Sequence, residues 1–78
     1  MTDKVCRVVA TIMGVPAGGV NEDSSPASLP AWDSLRHMKL ILAIEEAFGL
    51  QLADDEIVSM TNVRSIVALL ERKREVRA

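Results

Sequence analysis

Trp32-Asp33-Ser34-Leu35 marks the point where a loop rich in Gly, Ser and Pro gives way to the most apolar stretch of the chain, which runs to Phe48. Asp33 and Ser34 each carry a short side-chain oxygen, which can accept a hydrogen bond from a free backbone N–H group in the first turn of a helix. Either residue is therefore a good N-cap. The sequence predicts that a helix begins here and that the other elements pack around it.

The first turn of this helix is also a favourable place for an anion. Its free N–H groups and the positive end of the helix dipole both stabilise a phosphate. Ser34 is therefore a candidate point of phosphate attachment. The competing interpretation is that Asp33 and Ser34 serve only as caps, and these two residues do not decide between the interpretations on their own.

The composition indicates a small helical domain with little room for an enzyme pocket. We expect residues 1–78 to form a single domain. Apolar residues make up 49% of the chain but only Trp32 and Phe48 are aromatic, so we predict an aliphatic core, which favours packed helices. Because one cysteine, Cys6, and one histidine are too few for a disulfide or a four-ligand zinc site, we expect no metal and a reducing compartment.

Charge and hydropathy argue against two classes of partner. The net charge is −2, and four of the nine basic residues lie in the tail 71–78, which we interpret as the solvated end of a helix. Nucleic-acid binding is therefore not expected. The apolar run near the N-terminus is interrupted by Arg7, is too short to span a bilayer and has no convincing cleavage site, so we expect a soluble cytoplasmic protein without membrane contact.

Residues 3–13 have the apolar spacing of one helix face, i, i+3, i+4 and i+7. Thr2 or Asp3 is expected to cap this helix, and Gly14 to end it. The predicted inner face consists of Val5, Val8, Val9, Ile12 and Met13.

Residues 14–31 have no hydrophobic period and contain three prolines, so they are predicted to form a long loop. A loop of this length in a compact domain needs either a function or side chains that anchor it. Val20 and Leu29 are the expected anchors.

The helix predicted over 34–48, before Gly49, has two apolar stripes on opposite sides. The broad stripe, expected to face the core, consists of Leu40, Ile41, Ile44 and Phe48 and continues back to His37. The narrow stripe consists of Leu35, Met38 and Leu42 and is flanked by charged residues. It is either a surface for a partner or ordinary core beneath the long loop, and the pattern supports both equally.

Two further helices are predicted after a short connector. Asp54-Asp55-Glu56 opens a short helix over 54–60, because acidic residues suit the positive end of the dipole, and these three lack the spacing of a calcium loop. Thr61 or Asn62 caps a last helix over 63–76. Its predicted inner face consists of Val63, Ile66, Val67 and Leu70.

In this arrangement the chain resembles the acyl carrier protein family. The resemblance is carried by a long loop after an amphipathic helix, then Asp33-Ser34-Leu35 opening a helix that reads Leu-Ile-Leu-Ala-Ile-Glu-Glu-Ala-Phe-Gly over 40–49. A short acidic helix and a closing helix that begins Thr-Asn-Val at 61–63 follow. The similarity covers essentially the whole chain.

The resemblance implies an all-α, acyl-carrier-like four-helix bundle with a long loop between helices one and two and a short third helix. It implies that a phosphopantetheinyl transferase esterifies Ser34 with 4′-phosphopantetheine from coenzyme A, with Asp33 and Leu35 flanking the attachment. The thiol of that arm holds acyl groups as thioesters for acyl-loading and acyl-transfer enzymes, and the domain, expected to be a monomer, catalyses nothing. The resemblance places a partner-docking face on Leu35, Arg36, Met38, Lys39 and Leu42.

Two departures from the family pattern bear on the pathway. Arg36, His37 and Lys39 stand where family members commonly have acidic residues, so a partner that recognises negative charge would meet a different surface. This favours a specialised carrier in fatty-acid, polyketide or other biosynthesis over a housekeeping one. The Leu-Gly-Gly that precedes the serine in peptidyl carriers is replaced by Leu-Pro-Ala-Trp at 29–32, which disfavours an aminoacyl or peptidyl cargo.

Two rival functions remain open at this point. Ser34 and His37, three residues apart on one helix, could form the nucleophile and base of a hydrolase, although no glycine-rich elbow or oxyanion hole is evident. The chain could also be a helical interaction module that shares the carrier fold and is never modified. The carrier, the hydrolase and the interaction module all require the same helices, so helix periodicity does not distinguish them.

Overall fold

The computed structural model describes residues 1–77, with side chains as far as Arg74. Over this range the chain is all-α and contains no strand, which confirms the predicted four-helix fold. None of the described helices is long and apolar enough to cross a membrane. The helices are α1 (Thr2–Met13), α2 (Ser34–Phe48), α3 (Asp54–Ser59) and α4 (Val63–Arg77).

The helix boundaries agree with the sequence prediction apart from small differences. Helix α2 has the predicted bounds, α3 is one residue shorter at its end, and the backbone of α4 runs one residue further. Gly14 and Gly49 end α1 and α2 with φ of 71° and 65°, a conformation that glycine adopts without steric cost. In the tail 71–78 the side chains of residues 75–78 lie outside the described residues. Arg72 and Arg74 are exposed as predicted, but Lys73 is half-buried because it pairs with Glu56, so the prediction of a solvated tail is wrong for this residue.

The predicted cap of the first helix is wrong. Thr2 is already helical and Met1 occupies the cap position, where no side chain accepts a hydrogen bond. Asp3 lies in the first turn, where its charge suits the helix dipole without capping. At the last helix the prediction is correct for Asn62, whose Oδ1 accepts a hydrogen bond from the Ser65 N–H at 2.7 Å.

The core fills the space between α1, α2 and α4. It contains the apolar faces predicted for these helices, with Val8, Ile12, Phe48 and Val67 packed at its edge. The expectation of a purely aliphatic core is wrong, because Trp32 is only 3% exposed. The buried apolar residues are Val5, Val9, Ala10, Met13, Val20, Trp32, Leu40, Ile41, Ile44, Leu52, Met60, Val63, Ile66, Leu69 and Leu70.

The long loop between α1 and α2 is anchored to the start of α4. Val20 is buried and Leu29 packs against the core, as predicted, and a 3-10 turn forms at Ala17–Gly19. The sequence did not indicate that the loop also supplies acceptors. The N–H of Val63 donates to the carbonyl of Ser24 at 3.0 Å, and the N–H of Arg64 donates to that of Glu22 at 3.1 Å. Loop carbonyls therefore satisfy N–H groups that the first turn of α4 leaves free.

Helices α3 and α4 are joined by an ion pair. The Lys73 Nζ lies 2.8 Å from Glu56 Oε1, and both side chains are largely covered. The same carboxylate accepts the Ala53 N–H at 2.8 Å. The hydrogen bond from the Ala53 backbone, followed by that from Lys73, lowers the pKa of Glu56. Ionised Glu56 therefore stabilises the start of α3.

This lowered pKa predicts a pH dependence of stability. A carboxyl whose pKa is lower in the folded state stabilises the protein above its unfolded pKa, and this contribution is lost as the pH falls through the folded pKa. We expect acidification to reduce the free energy of unfolding more in the wild type than in Glu56→Gln, measured by urea denaturation across a pH series. Parallel curves for the two proteins would contradict the assignment.

Candidate functional site

The start of α2 is capped by Asp33. Its Oδ1 accepts the Arg36 N–H at 2.9 Å, and its carbonyl accepts the His37 N–H at 2.8 Å. Ser34 is the first helical residue and is exposed. Of the two caps that the sequence allowed, Asp33 is therefore the one in use. The Ser34 hydroxyl forms no hydrogen bond within the part of the chain that the structure describes.

This geometry fits the attachment of a phosphate-linked group. The hydroxyl of Ser34 is open to solvent, so an arm leaving it meets no obstruction from the core. Asp33 satisfies the N–H of Arg36, and the N–H groups of Ser34 and Leu35 have no acceptor among the described residues. These free donors and the helix dipole would stabilise a phosphodiester at this position.

The narrow stripe of α2 is exposed. Leu35 and Leu42 are each 66% exposed and Met38 is 54% exposed, so the alternative that this stripe is core beneath the loop is wrong. Val58 of α3 is 77% exposed and was not predicted, because a helix of six residues is too short for its apolar spacing to identify an outer face. A groove of about 580 Å³ runs between the start of α2 and α3 and is lined by Ser34, Met38 and Val58, among others.

The three basic or titratable residues that follow Leu35 have different environments. Arg36 is half-buried, and its Nη1 donates to the Ile12 carbonyl at 2.9 Å, near the end of α1. His37 is half-buried against Trp32. Lys39 is exposed and shares the outer face of α2 with the narrow stripe. Of the predicted docking residues, the structure therefore groups Leu35, Met38, Lys39 and Leu42, whereas the guanidinium of Arg36 is directed towards α1.

His37 is unsuited to act as a base for Ser34. The Trp32 Nε1–H donates to His37 Nδ1 at 3.0 Å, and His37 Nε2 lies 3.2 Å from the Ile57 carbonyl. Both ring nitrogens therefore have partners, and neither partner is Ser34. Trp32 lies directly before the cap and His37 is the fourth residue after it, which are the two positions of a hydrophobic staple. This sequence signal could have identified Trp32 as buried.

Two other features of the sequence are accounted for structurally. Asp54, Asp55 and Glu56 lie in the first turn of α3, and no cluster of metal-ligating side chains occurs in the described residues. Cys6 is half-buried and packs against the core. Burial, and then the nearby carboxylates of Asp3 and Glu22, raise the pKa of its thiol, which keeps it in the weakly nucleophilic neutral form.

Comparison with known proteins shows the family of the chain. Residues 3–70 match the family model described as the phosphopantetheine attachment site. The chain is similar to an acyl carrier protein of Solidesulfovibrio magneticus, with 30% identity over 95% of each chain. It is 32% identical to an acyl carrier protein of Prochlorococcus marinus, over 91% of this chain and 89% of that one. It is 31% identical to an acyl carrier protein of Guillardia theta, over 91% and 88%.

The four-helix fold and the match to this family model therefore define a carrier domain of the phosphopantetheine-binding class. Within that class, the chain belongs to the acyl carrier protein family. Members of this family carry covalently attached 4′-phosphopantetheine, act as carriers and not as catalysts, and interact with a phosphopantetheinyl transferase and biosynthetic enzymes.

Proposed function

We propose that Ser34 carries the 4′-phosphopantetheine arm of this acyl carrier protein. The observation that supports this most strongly is the division of roles at the start of α2, where Asp33 caps the helix and the Ser34 hydroxyl stays exposed. When bound, the arm supplies a thiol that holds acyl groups as thioesters. Asp33 keeps the first turn formed, and the free N–H groups of Ser34 and Leu35 stabilise the phosphodiester.

We propose further that Leu35, Met38, Lys39 and Leu42 form the docking face for partner enzymes. An exposed apolar stripe beside the attachment point suits a small contact surface, and Lys39 favours a partner that places a carboxylate opposite it. Arg36 and His37 are engaged within the protein, so the positive character of this face rests on Lys39. The proposed role is that of a specialised carrier in fatty-acid, polyketide or related biosynthesis, acting as a cytoplasmic monomer.

The attachment is tested by intact mass. We expect the purified chain, incubated with coenzyme A and a broad-specificity phosphopantetheinyl transferase, to gain the mass of one phosphopantetheine group. A well-folded chain that gains no mass while a reference carrier protein is fully converted would contradict the proposal. The chain would then be an unmodified interaction module of the same fold.

The docking face is tested by Met38→Glu. Because Met38 is exposed, the variant should keep the fold and the thermal stability of the wild type. In the complex with the transferase, however, the glutamate would bury a charge in an apolar contact. We therefore expect kcat/KM for phosphopantetheine transfer to fall roughly tenfold. Ala68→Glu, which adds the same charge to an exposed position on α4, is the control and should leave the transfer rate unchanged. Equal rates for both variants would show that Met38 lies outside the docking face.

A further inference from the structure

His37 connects three segments of the chain through its two ring nitrogens. The indole N–H of Trp32 can only donate, so His37 Nδ1 is the acceptor of that 3.0 Å hydrogen bond. The Ile57 carbonyl can only accept, so Nε2 must carry the proton at the 3.2 Å contact. The ring is therefore the neutral Nε2–H tautomer. In this form it joins the end of the long loop and α2 to α3.

Helix α3 packs against the core through Ile57 but has few other polar connections to the rest of the protein. It has six residues, and so short a helix is not stable without tertiary contacts. Within the described residues its side-chain hydrogen bonds to other helices are the one from His37 to the Ile57 carbonyl and the pair formed by Glu56 and Lys73. The Ile57 carbonyl lies in the last turn of α3 and accepts the Met60 N–H at 3.2 Å, and its second lone pair is available to the His37 Nε2–H. His37 thus adds a hydrogen bond from α2 to the last turn of α3.

The contact that His37 makes lies beside the proposed attachment point. Ser34, His37 and Met38 line one side of the groove, and Val58, adjacent in sequence to Ile57, lines the other. The position of α3 therefore sets the width of the groove and the place of the exposed Val58 relative to Ser34. Lys73 holds α3 to α4 and has no part in this wall.

We propose that His37 is a positioning residue that holds α3 beside Ser34, so that the phosphopantetheinyl transferase meets Ser34, Met38 and Val58 as one surface. This inference rests on the proposed function of Ser34. His37 acts through the Ile57 carbonyl and does not touch the reacting hydroxyl. Its loss should weaken the binding of the carrier to the transferase and leave the chemical step unchanged.

Two variants with an amide side chain distinguish the two hydrogen bonds that the His37 ring makes. In His37→Asn the amide lies near the position of Nδ1 and is too short to reach the Ile57 carbonyl. In His37→Gln it extends to the position of Nε2, where an N–H can donate to that carbonyl. We expect amide hydrogen exchange in α3 to be roughly five- to tenfold faster in His37→Asn than in the wild type, as for the loss of one hydrogen bond, and His37→Gln to restore most of the protection.

The same variants test the effect on modification. With saturating coenzyme A, the KM of the transferase for the His37→Asn carrier should rise severalfold with kcat nearly unchanged, and His37→Gln should return KM towards the wild-type value. Equal α3 exchange in His37→Asn and the wild type would overturn the inference, as would faster exchange spread evenly over α1, α2 and α4. Failure of the wild type itself to accept the arm would instead overturn the proposed function, because the exchange measurement needs no modification.

Discussion

Replacing Ser34 with alanine is expected to abolish the transfer of phosphopantetheine completely. The hydroxyl oxygen of Ser34 is the proposed attachment atom, and alanine has none to offer. Alanine is a good helix former, and the cap on Asp33 is retained, so we expect the circular dichroism spectrum and the thermal midpoint to stay close to those of the wild type. Intact mass after incubation with coenzyme A and transferase measures the loss directly.

The control for this variant is Ser59→Ala. Ser59 is also an exposed serine, but it ends α3 and its hydroxyl donates to the Glu56 carbonyl, so it lacks the free N–H groups of a helix start. This variant should accept the arm as fully as the wild type. A mass gain that survives Ser34→Ala, or that disappears in Ser59→Ala, would mean that the attachment atom has been assigned to the wrong residue.

Leu40→Ala is expected to have the largest effect on stability. Leu40 is fully buried in the core face of α2, and truncating such a leucine costs roughly 2–5 kcal/mol through lost burial and the cavity left behind. Stabilities of domains fall at about 5–15 kcal/mol, and small domains are among the less stable, so this is a large fraction of the total. Urea denaturation followed by circular dichroism measures the change in the free energy of unfolding.

Leu42→Ala is the matched control, since it makes the same substitution two residues further along the same helix. Leu42 is 66% exposed, so its truncation should change the free energy of unfolding by no more than about 0.5 kcal/mol. It should instead slow transfer to or from partner enzymes. Comparable destabilisation by both variants would contradict the assignment of one core face and one outer face to α2.

Helix α2 could be predicted from the sequence because local signals fix both of its ends. Asp33 offers a cap, Gly49 offers a residue that tolerates positive φ, and the apolar period between them separates two faces. The inner face of the last helix was predictable for the same reason. The cap of α1 was not, because Thr2 and Asp3 are both residue types that cap helices and the choice of the first helical residue depends on packing further along.

The surroundings of the site could be predicted only in part. The sequence shows that Arg36, His37 and Lys39 follow the attachment motif, but not that the first contacts the end of α1 and the second contacts Trp32 and α3. These partners lie in segments that are distant along the chain, so periodicity contains no information about them. The same holds for the loop carbonyls that cap α4.

These contacts change the interpretation of charge at the docking face. From the sequence alone, Arg36, His37 and Lys39 would all be expected to repel a partner that recognises negative charge. Of these three residues only Lys39 is exposed in the structure, so the positive charge at this turn of the docking face comes from one lysine. We therefore expect Lys39 to contribute more to the choice of partner than Arg36 or His37.

The central claim is that Ser34 bears a phosphopantetheine arm with an acyl group on its thiol. The most direct measurement is peptide mass spectrometry of the chain purified from its native cells, before and after treatment with hydroxylamine, which cleaves thioesters. We predict one modified peptide, containing Ser34, that carries phosphopantetheine and loses an acyl group on treatment. An unmodified Ser34 peptide, or phosphopantetheine on any other residue, would contradict this account.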